Sequence, residues 1–483
     1  MPNETGRESR RSCLAAVADE LGVATIYRSS SNVKLLILQR AVRLMAYGAS
    51  TLPLIPHLRA LGHPESLIGL FLSLTLVGDV LLSLLLTAVA DGLGRRAVLG
   101  IGSIMMTASG IVFATSSNYW ILLVAAVFGV ISPGGNEIGP FRAVEESIVA
   151  QLTTPADRSD VYAWYSLMGT AGAATGIITC GWTVQSLQRN RGWSETKAFQ
   201  VIFLAYAAFG VLKLVLTLCL NADVEPEVAK TSPRAVAASE GERRPLLAGN
   251  EAGANGQAQD ASAAEAKAKG RWSLLPQIRK EGRLVILNLC LLFMLDAFAS
   301  SLVSLSWISY YFKSTYNMEL GALGSVFFTT NIIAAISMLG ASSLAKRFGN
   351  VNTMVFTHLP SSIFLALIPV PSLQLSLAVL FLRHCTASMD AGPRSAFLAA
   401  VIRPSERTAV MGLINTLKTV AQSVGPSATG LLAGSGHFWV AFVVAGSLKA
   451  TYDLGLLAVF KNHEKEVLER IDREAADGQN SQA

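Results

Sequence analysis

Long apolar segments recur along the whole chain and alternate with short polar ones. A helix needs about 20 apolar residues to cross the hydrocarbon core of a bilayer, and twelve runs approach that length. Inside lipid each backbone polar group must be satisfied within its own segment, so the pattern predicts α-helices. The predicted segments cover residues 35–56, 66–88, 97–116, 119–140, 164–186, 198–220, 284–311, 322–344, 353–371, 374–400, 410–433 and 437–460.

The composition agrees with this pattern. Hydrophobic residues make up 51% of the 483 residues and charged residues only 15%, whereas about a quarter of the residues of a soluble domain are charged. We therefore predict an all-α integral membrane protein with twelve transmembrane helices. The predicted organisation is a cytosolic N-terminal segment (1–33), a six-helix half (34–220), a disordered cytosolic linker with a basic juxtamembrane end (221–282), a second six-helix half (283–460) and a cytosolic tail (461–483).

The two predicted halves share a short sequence pattern. Glu137–Pro140 has an acid, a spacer, Gly and Pro, and Asp390–Pro393 repeats this order 253 residues later. A second pattern also occurs in both halves: a glycine follows an arginine by 18 residues. In the first half this is Gly176 after Arg158, and in the second it is Gly425 after Arg407. Two copies of one unit are the simplest explanation. We therefore predict pseudo-symmetric halves.

The positive charges indicate an orientation in the membrane. The chain has 39 Lys and Arg against 33 Asp and Glu. With both termini in the cytosol, most of the cations lie in inner loops, and the outer loops contain only Arg59, Arg189, Arg191, Lys197 and Lys313. This agrees with the positive-inside rule. The distribution argues against a nucleic-acid-binding surface, so we expect the lipid bilayer and no nucleic acid as a partner.

The linker between the halves contains a possible sorting signal. It is rich in Ala, Gly, Glu and Gln and has no aromatic residue before Trp272, so it is predicted to be disordered. Glu242, Leu246 and Leu247 match the acidic dileucine pattern that sorting adaptors recognise. The pattern is short and also arises by chance. It favours a vacuole-like endomembrane destination, with the plasma membrane as the alternative.

Two predicted inner loops carry a related motif, Ala90–Arg96 and Ala345–Asn350. The first resembles the cytoplasmic loop signature of the major facilitator superfamily, with Gly92 where that family usually has Arg. The residues that match are Asp91, Gly94, Arg95 and Arg96. The second loop keeps Arg347 and Gly349 but has Lys346 in place of the acid. The resemblance, which covers about residues 34–460, implies a transporter fold of two six-helix halves.

Within the superfamily, the stretch around Glu137 resembles a branch of fungal and bacterial permeases of unknown substrate. The antiporter signature of the drug-exporting branch is degenerate here. Gly169, Gly172 and Gly176 are present in the fifth predicted segment, but Ile177 stands where Pro is expected. This departure weakens the assignment as a drug antiporter.

Charged residues inside the predicted segments are candidates for function, because burial in a membrane makes them costly. Asp79 lies 12 residues before Asp91, about 18 Å along a helix, and hence near the middle of the bilayer. The candidates for proton coupling are Asp79, Asp296, Glu137 and Asp390. The alternative is that such residues form fixed salt bridges between helices.

Other polar residues are predicted to line a substrate cavity. Arg40, Arg43 and Tyr47 recur at helical spacing and hence share one face. Further candidates are Asn136, Asn415, Lys418 and Gln422. The two arginines favour an anionic or polar substrate over a cationic one. Lys449 and Asp453, four residues apart, are expected to neutralise each other.

The family resemblance also implies an inner gate of salt bridges that close the cytosolic side. Arg142 is expected to reach Glu145 or Glu146, which lie one turn further along the helix. The predicted gate residues are Asp91, Gly94, Arg95, Arg96, Glu145, Glu146, Arg158, Arg394 and Arg407.

These observations favour a secondary active transporter of a small solute, working by alternating access, as an efflux or vacuolar carrier. No glycine-rich nucleotide-binding loop of the Lys-Ser/Thr type is present, so a proton gradient is the expected energy source. We expect no enzymatic activity, no cofactor and no metal, and a monomer that sorting adaptors can bind. The alternatives are a non-transporting sensor on the same fold and a facilitative uniporter.

Overall fold

The computed structural model describes residues 22–129, 131, 140–154, 157–225, 283–402 and 407–480. The described residues form α-helices without strands. Those of the first half are α1 (Val23–Arg28), α2 (Ser31–Thr51), α3 (Leu54–Ala60), α4 (Glu65–Leu93), α5 (Arg95–Thr115), α6 (Tyr119–Gly129), α7 (Pro140–Leu152), α8 (Arg158–Arg191) and α9 (Glu195–Leu218).

A short 3₁₀ turn, Ala222–Val224, ends the described part of the first half. The helices of the second half are α10 (Arg283–Leu302), α11 (Leu305–Tyr316), α12 (Leu320–Phe348), α13 (Asn350–Leu367), α14 (Leu373–Thr386), α15 (Ala391–Val401), α16 (Arg407–Gly434) and α17 (Phe438–Asn480). The fold class is therefore all-α, as predicted.

Where the structure describes the predicted segments, they coincide with helices, and several of these helices are interrupted within a segment. The first comprises α2 and α3, which are separated at Pro53, where the missing backbone N–H interrupts the helical hydrogen bonds. Within the described residues, six spans are long and apolar enough to cross a membrane: Glu65–Leu82, Arg95–Thr115, Glu195–Leu218, Leu284–Tyr316, Leu320–Ala345 and Phe438–Lys461. The total of twelve stays a prediction.

Large apolar side chains cover the outside of the bundle. An apolar surface of this extent is not found on soluble monomers, where contiguous exposed apolar patches are small. Side chains that are more than half exposed include Leu81, Ile104, Trp120, Leu291, Ile336 and Leu431. They come from helices of both halves, which is what a bundle surrounded by lipid requires.

The inner-loop motif has the same backbone geometry in both halves. Gly94 precedes α5 with φ 93°, and Gly349 precedes α13 with φ 81°. Only glycine adopts these conformations without strain. The two loops are therefore structural equivalents, although the second lacks the acid of the first.

The repeated glycines Gly176 and Gly425 also occupy equivalent places. Gly176 packs against α2, where an added Cβ would lie 2.9 Å from the backbone nitrogen of Ala49. Gly425 packs against α10, at 2.8 Å from the backbone nitrogen of Leu302. Gly176 thus lets α8 approach α2, and Gly425 lets α16 approach α10, so the repeated glycine has the same packing role in both halves.

The two halves meet along α4 with α16 and along α8 with α12. Both contacts depend on paired glycines. An added Cβ at Gly430 would lie 2.5 Å from the carbonyl oxygen of Glu65 and 2.7 Å from the Cα of Gly69. At Gly181 it would lie 3.2 Å from the Cα of Gly324. The two contacts are therefore related by the pseudo-symmetry of the halves. In both, glycines let the helix backbones pack closely.

Polar contacts reinforce this interface toward one end of the bundle. We call it the far end, because it lies opposite the terminal end, where α2 begins and where Gly94 and Gly349 lie. Ser306 Oγ donates to the Thr51 carbonyl at 3.0 Å, and the Tyr310 hydroxyl donates to Glu65 at 2.8 Å. Other pairs between the halves are Ser73 with Ser427, Trp182 with Ser325, Arg189 with Glu319, Gln185 with Glu319 and Lys313 with Glu195. The far end is closed in this structure.

Replacing Gly430 by alanine is expected to open the far end, because the new Cβ meets backbone atoms that cannot yield. The reporter is a single cysteine at the buried Ser306 position, in a chain without the native cysteines. It should react with a maleimide several-fold faster in the Gly430→Ala variant than in the protein that keeps Gly430. Gly434→Ala is the matched control on the same helix, because a Cβ there makes only ordinary contact at 3.7 Å. Equal labelling of the two variants would contradict this role of the glycine contact.

Candidate functional site

A cavity of about 420 Å³ lies mainly within the second half, and Leu76 of α4 contributes to its wall. This size suits a small-molecule site. Its polar lining comes from six helices of the second half and the turns beside them, and consists of Asp296, Ser300, Ser301, Ser304, His358, Ser361, Arg383, His384, Ser388, Asp390, Arg394, Gln422 and Lys449. The cavity is therefore lined by charges and hydroxyl groups.

Asp296 is the centre of the charge network in this wall. Lys449 Nζ of α17 lies 2.6 Å from its Oδ1 and 2.7 Å from the hydroxyl of Ser300. Arg394 of α15 donates to its other carboxylate oxygen at 3.2 Å, and also pairs with Asp390. Asp296 is 4% exposed. It therefore holds two cations from two other helices.

A second pair in the same region involves the histidine of α13. His358 Nδ1 lies 2.8 Å from Oδ1 of Asp453, and the hydroxyl of Ser362 donates to Oδ2 of Asp453 at 3.1 Å. The predicted pairing of Lys449 with Asp453 was wrong. Each of the two residues has a partner on another helix, and in a buried site a partner in direct contact outweighs a helical neighbour.

Arg383 of α14 also lines the cavity, together with its neighbour His384. Its Nε is buried without a hydrogen-bond partner, whereas His384 Nδ1 contacts the carbonyl oxygen of Leu380 at 2.8 Å. The hydroxyl of Ser304 is likewise buried without a partner. The wall therefore contains polar groups whose hydrogen-bonding capacity is unused.

The first half contains a charge cluster of its own. Arg43 of α2 donates to Glu145 of α7 at 2.6 Å, and Lys213 Nζ of α9 lies 3.2 Å from the same carboxylate. The hydroxyl of Tyr165 adds a hydrogen bond of 2.6 Å to Glu145. All three charged side chains are essentially unexposed. The cluster joins α2, α7, α8 and α9 in the interior of the half.

This cluster differs from the predicted roles of two of its members. Arg43 was predicted to line the cavity, and Glu145 was predicted to belong to the inner gate, but both are buried among helices of one half. The helical face that Arg43 shares with Arg40 and Tyr47 is internal as well. Arg40 lies over the ring of Tyr165 at 4.0 Å, and Tyr47 stacks with Tyr206 at 6.3 Å.

The remaining gate residues of the first half contact groups of that half. Arg95 donates to Gln151 at 2.5 Å, and Arg96 donates to the carbonyl oxygen of Leu218 at 3.2 Å. Arg158 donates to the Ala150 carbonyl at 2.9 Å. None of these three contacts crosses between the halves. The inner gate therefore stays a prediction, for a state in which the terminal end is closed.

The predicted contact of Arg142 with the acids of α7 is confirmed for Glu146. Arg142 Nε lies 2.7 Å from the carboxylate of Glu146, on the exposed surface. Two other sets of predicted residues have no description. Asn136, Glu137, Glu242, Leu246 and Leu247 lie outside the described residues, as do the side chains of Asp91 and Arg407.

Asp79 lies on α4, one helical turn beyond the cavity residue Leu76, and hence on a similar face. It is 5% exposed, and its Oδ1 is buried without a hydrogen-bond partner. The other carboxylate candidate, Asp296, is held by two cations. The two aspartates that sequence analysis ranked together therefore have opposite surroundings.

The candidates of α16 lie along two adjoining cavities. Gln422 lines the first, whereas Asn415 and Lys418 line a second of about 440 Å³. Arg394 contributes to the walls of both. Lys418 lies 5.7 Å from the ring centre of Phe293. The predicted polar face of this helix is therefore turned toward the interior.

Three residues of these clusters were not predicted from the sequence. Lys213 and Arg383 were visible as single charges inside predicted segments, the signal that applies to intramembrane sites. His358 had no such signal, because a neutral histidine in an apolar run is common. Its role depends on the contact with Asp453.

The model of the Major Facilitator Superfamily matches residues 40–382 and 289–477 of this chain. The chain belongs to this superfamily. It is accordingly a multi-pass membrane protein of a family whose members carry out membrane transport. The loop motif and the pseudo-symmetric halves agree with this membership.

Among curated proteins, an uncharacterized membrane protein of Saccharomyces cerevisiae is 36% identical over 450 residues, which are 92% of this chain and 97% of that protein. The multidrug resistance protein MdtH of Yersinia enterocolitica is 29% identical over 125 residues, which are 26% of this chain and 30% of MdtH. The first similarity extends over nearly the whole chain, and the second is local.

Solved transporters share the fold. A D-xylose-proton symporter is similar with a TM-score of 0.65 and 14% identity, over 88% of this chain and 97% of the symporter. The nucleoside transporter NupG has a TM-score of 0.60 and 14% identity, over 89% and 100% of the two chains. At this identity the likeness shows the architecture of the superfamily and no substrate.

Proposed function

We propose that this protein is a secondary active transporter that moves a small solute by alternating access, with the cavity around Asp296 as its substrate site. The observation that carries the proposal is a polar cavity of about 420 Å³ inside an apolar bundle. Charged side chains inside an apolar bundle are costly, and they commonly mark the path of a solute or a proton.

The closed far end supports the same proposal. Alternating access requires two halves that separate at one end while they stay in contact at the other. Gly69 with Gly430 and Gly181 with Gly324 form two closely packed contacts of related geometry. Such contacts between rigid helices suit a structure that rocks about its centre.

Solute-driven flux is the test of this proposal. Purified protein is reconstituted into vesicles that contain a pH-sensitive dye, and gluconate, sorbitol or glucosamine is added outside to represent an anion, a neutral solute and a cation. Isotope-labelled forms of the same compounds detect uptake without proton movement. Flux that exceeds the rate in protein-free vesicles supports transport, whereas binding without flux favours a sensor on the same fold.

Proton coupling is the energy source that we propose, through Asp79 or Asp296. Asp79 is the stronger candidate, because its buried carboxylate oxygen has no hydrogen-bond partner and can take up a proton without breaking an ion pair. A facilitative uniporter is the alternative, and it would equilibrate solute without moving protons.

For the orientation, we propose that the terminal end faces the cytosol. The loop arginines Arg95, Arg96 and Arg158 lie at this end, in agreement with the positive-inside rule. The linker would then lie on the same side as sorting adaptors. This arrangement supports an efflux or vacuolar carrier in an endomembrane, with the plasma membrane as the alternative.

Replacing Leu246 and Leu247 by alanine is expected to relocate the protein from an endomembrane to the cell surface. The leucine pair lies in a polar, apolar-poor linker, where burial in a core does not explain it. The measurement is microscopy of the tagged protein, with Leu274→Ala and Leu275→Ala, a second leucine pair in the linker, as control. An unchanged distribution would remove the evidence for the signal.

A further inference from the structure

The cavity wall contains more positive than negative side chains. Its cations are Arg383, Arg394 and Lys449, and its anions are Asp296 and Asp390. The two histidines in the wall carry no formal charge when neutral. Among the described residues, the lining therefore has one cation in excess.

The pairing pattern identifies that cation. Asp296 accepts from both Lys449 and Arg394, and Asp390 accepts from Arg394. The third nearby acid, Asp453, is held by His358. Arg383 has no acidic partner among the described residues, and its Nε is buried without a hydrogen bond.

Arg383 is partly buried, and a guanidinium with a buried donor and no counter-ion is an unfavourable arrangement in a protein interior unless a solute supplies the missing anion. In membrane proteins, intramembrane cations of this kind face cavities and mark the path of a solute. The planar guanidinium is also the group best suited to bind a carboxylate or phosphate through paired hydrogen bonds.

The rest of the wall combines apolar side chains with hydroxyl groups. Five serines line the cavity, and they are Ser300, Ser301, Ser304, Ser361 and Ser388. The hydroxyl of Ser304 is buried without a partner. Such groups form hydrogen bonds with the hydroxyl groups of a solute, which a purely apolar pocket would not.

We propose that the cavity binds a small hydroxylated organic anion, with Arg383 as the residue that takes its carboxylate or phosphate group. The inference depends on the proposed function, because it names the substrate class of that transport site. Lys449 and Arg394 are already engaged by Asp296, so the charge of the solute is balanced by Arg383.

The test compares acids with uncharged compounds of the same shape. The full-length protein is purified in detergent, and thermal unfolding is followed by tryptophan fluorescence with gluconate against sorbitol, and lactate against lactamide. Glucose 6-phosphate against glucose tests phosphate as the anionic group. An acid should raise the unfolding temperature, whereas its neutral counterpart should not, because only binding to the folded state stabilises it.

Variants then assign the effect to Arg383. Arg383→Gln is expected to lower the affinity for the stabilising acid at least tenfold. Arg383→Lys keeps the charge and should retain part of the affinity. Arg191→Gln, at the exposed end of α8, is the control and should bind as the unchanged protein does. If Arg383→Gln does not fold, two other measurements decide whether the site binds anions through Arg383. These are the affinity of Arg383→Lys for the acid and the comparison of acids with neutral compounds.

The outcomes separate this inference from the proposed function. Stabilisation by neutral compounds, or by none of the acids, overturns the anion assignment. Flux of sorbitol without flux of any acid also overturns it, but leaves transport in place. Acid binding that needs Arg383 but produces no flux in vesicles supports the site and contradicts transport.

Discussion

Asp79→Asn is expected to abolish solute accumulation driven by a proton gradient, while exchange of solute across the membrane continues. The asparagine amide imitates the protonated, neutral carboxyl group, so the protein can complete only the solute-loaded half of the cycle. Accumulation should fall to the level of equilibration, a loss of at least tenfold. The measurement is uptake into vesicles with and without a pH gradient, followed by counterflow of the same solute.

The surroundings of Asp79 are the reason for this expectation. The residue lies in an apolar helix, 5% exposed, with Oδ1 lacking a hydrogen-bond partner. One turn before it, Leu76 contributes to the cavity wall. A proton taken up at Asp79 would therefore be close to the solute and to the contact between α4 and α16.

Asp296→Asn is the comparison, because Asp296 is paired with Lys449 and Arg394. Its neutralisation leaves the buried Lys449 and the partly buried Arg394 without their shared acid, so both accumulation and exchange are expected to be lost. If each variant retains the pH dependence of the unchanged protein, neither aspartate couples protons to transport.

Glu145→Gln is expected to lower the free energy of unfolding by about 3–5 kcal/mol, the range found when one member of a buried ion pair is removed. The carboxylate lies 2.6 Å from Arg43 and 3.2 Å from Lys213, and none of these side chains is exposed by more than 1%. An amide keeps the shape of the side chain but removes the charge that compensates both cations. The measurement is thermal or denaturant unfolding in detergent.

The neighbouring residue provides the control. Glu146 also forms an ion pair, with Arg142, but the two side chains are 32% and 54% exposed. Surface pairs contribute about 0–1 kcal/mol, so Glu146→Gln should have little effect on unfolding. A similar loss in the two variants would show that the buried cluster is not a special source of stability.

The apolar pattern was sufficient to predict a bundle of α-helices. Helices inside lipid must satisfy their own backbone, so segment length and hydropathy carry the information locally. The glycine repeat was equally visible, and Gly176 and Gly425 prove to occupy equivalent helix contacts. Breaks such as that between α10 and α11 were not predicted, because the apolar run continues through them.

The sequence alone determined the membrane class, the superfamily and the presence of charges within the helices. Only the tertiary structure decided which charges meet. Lys449 pairs with Asp296 and not with Asp453, whereas Glu145 is buried with Arg43. The physical reason is that a buried charge is governed by the nearest partner in space, and helices distant in the sequence supply that partner.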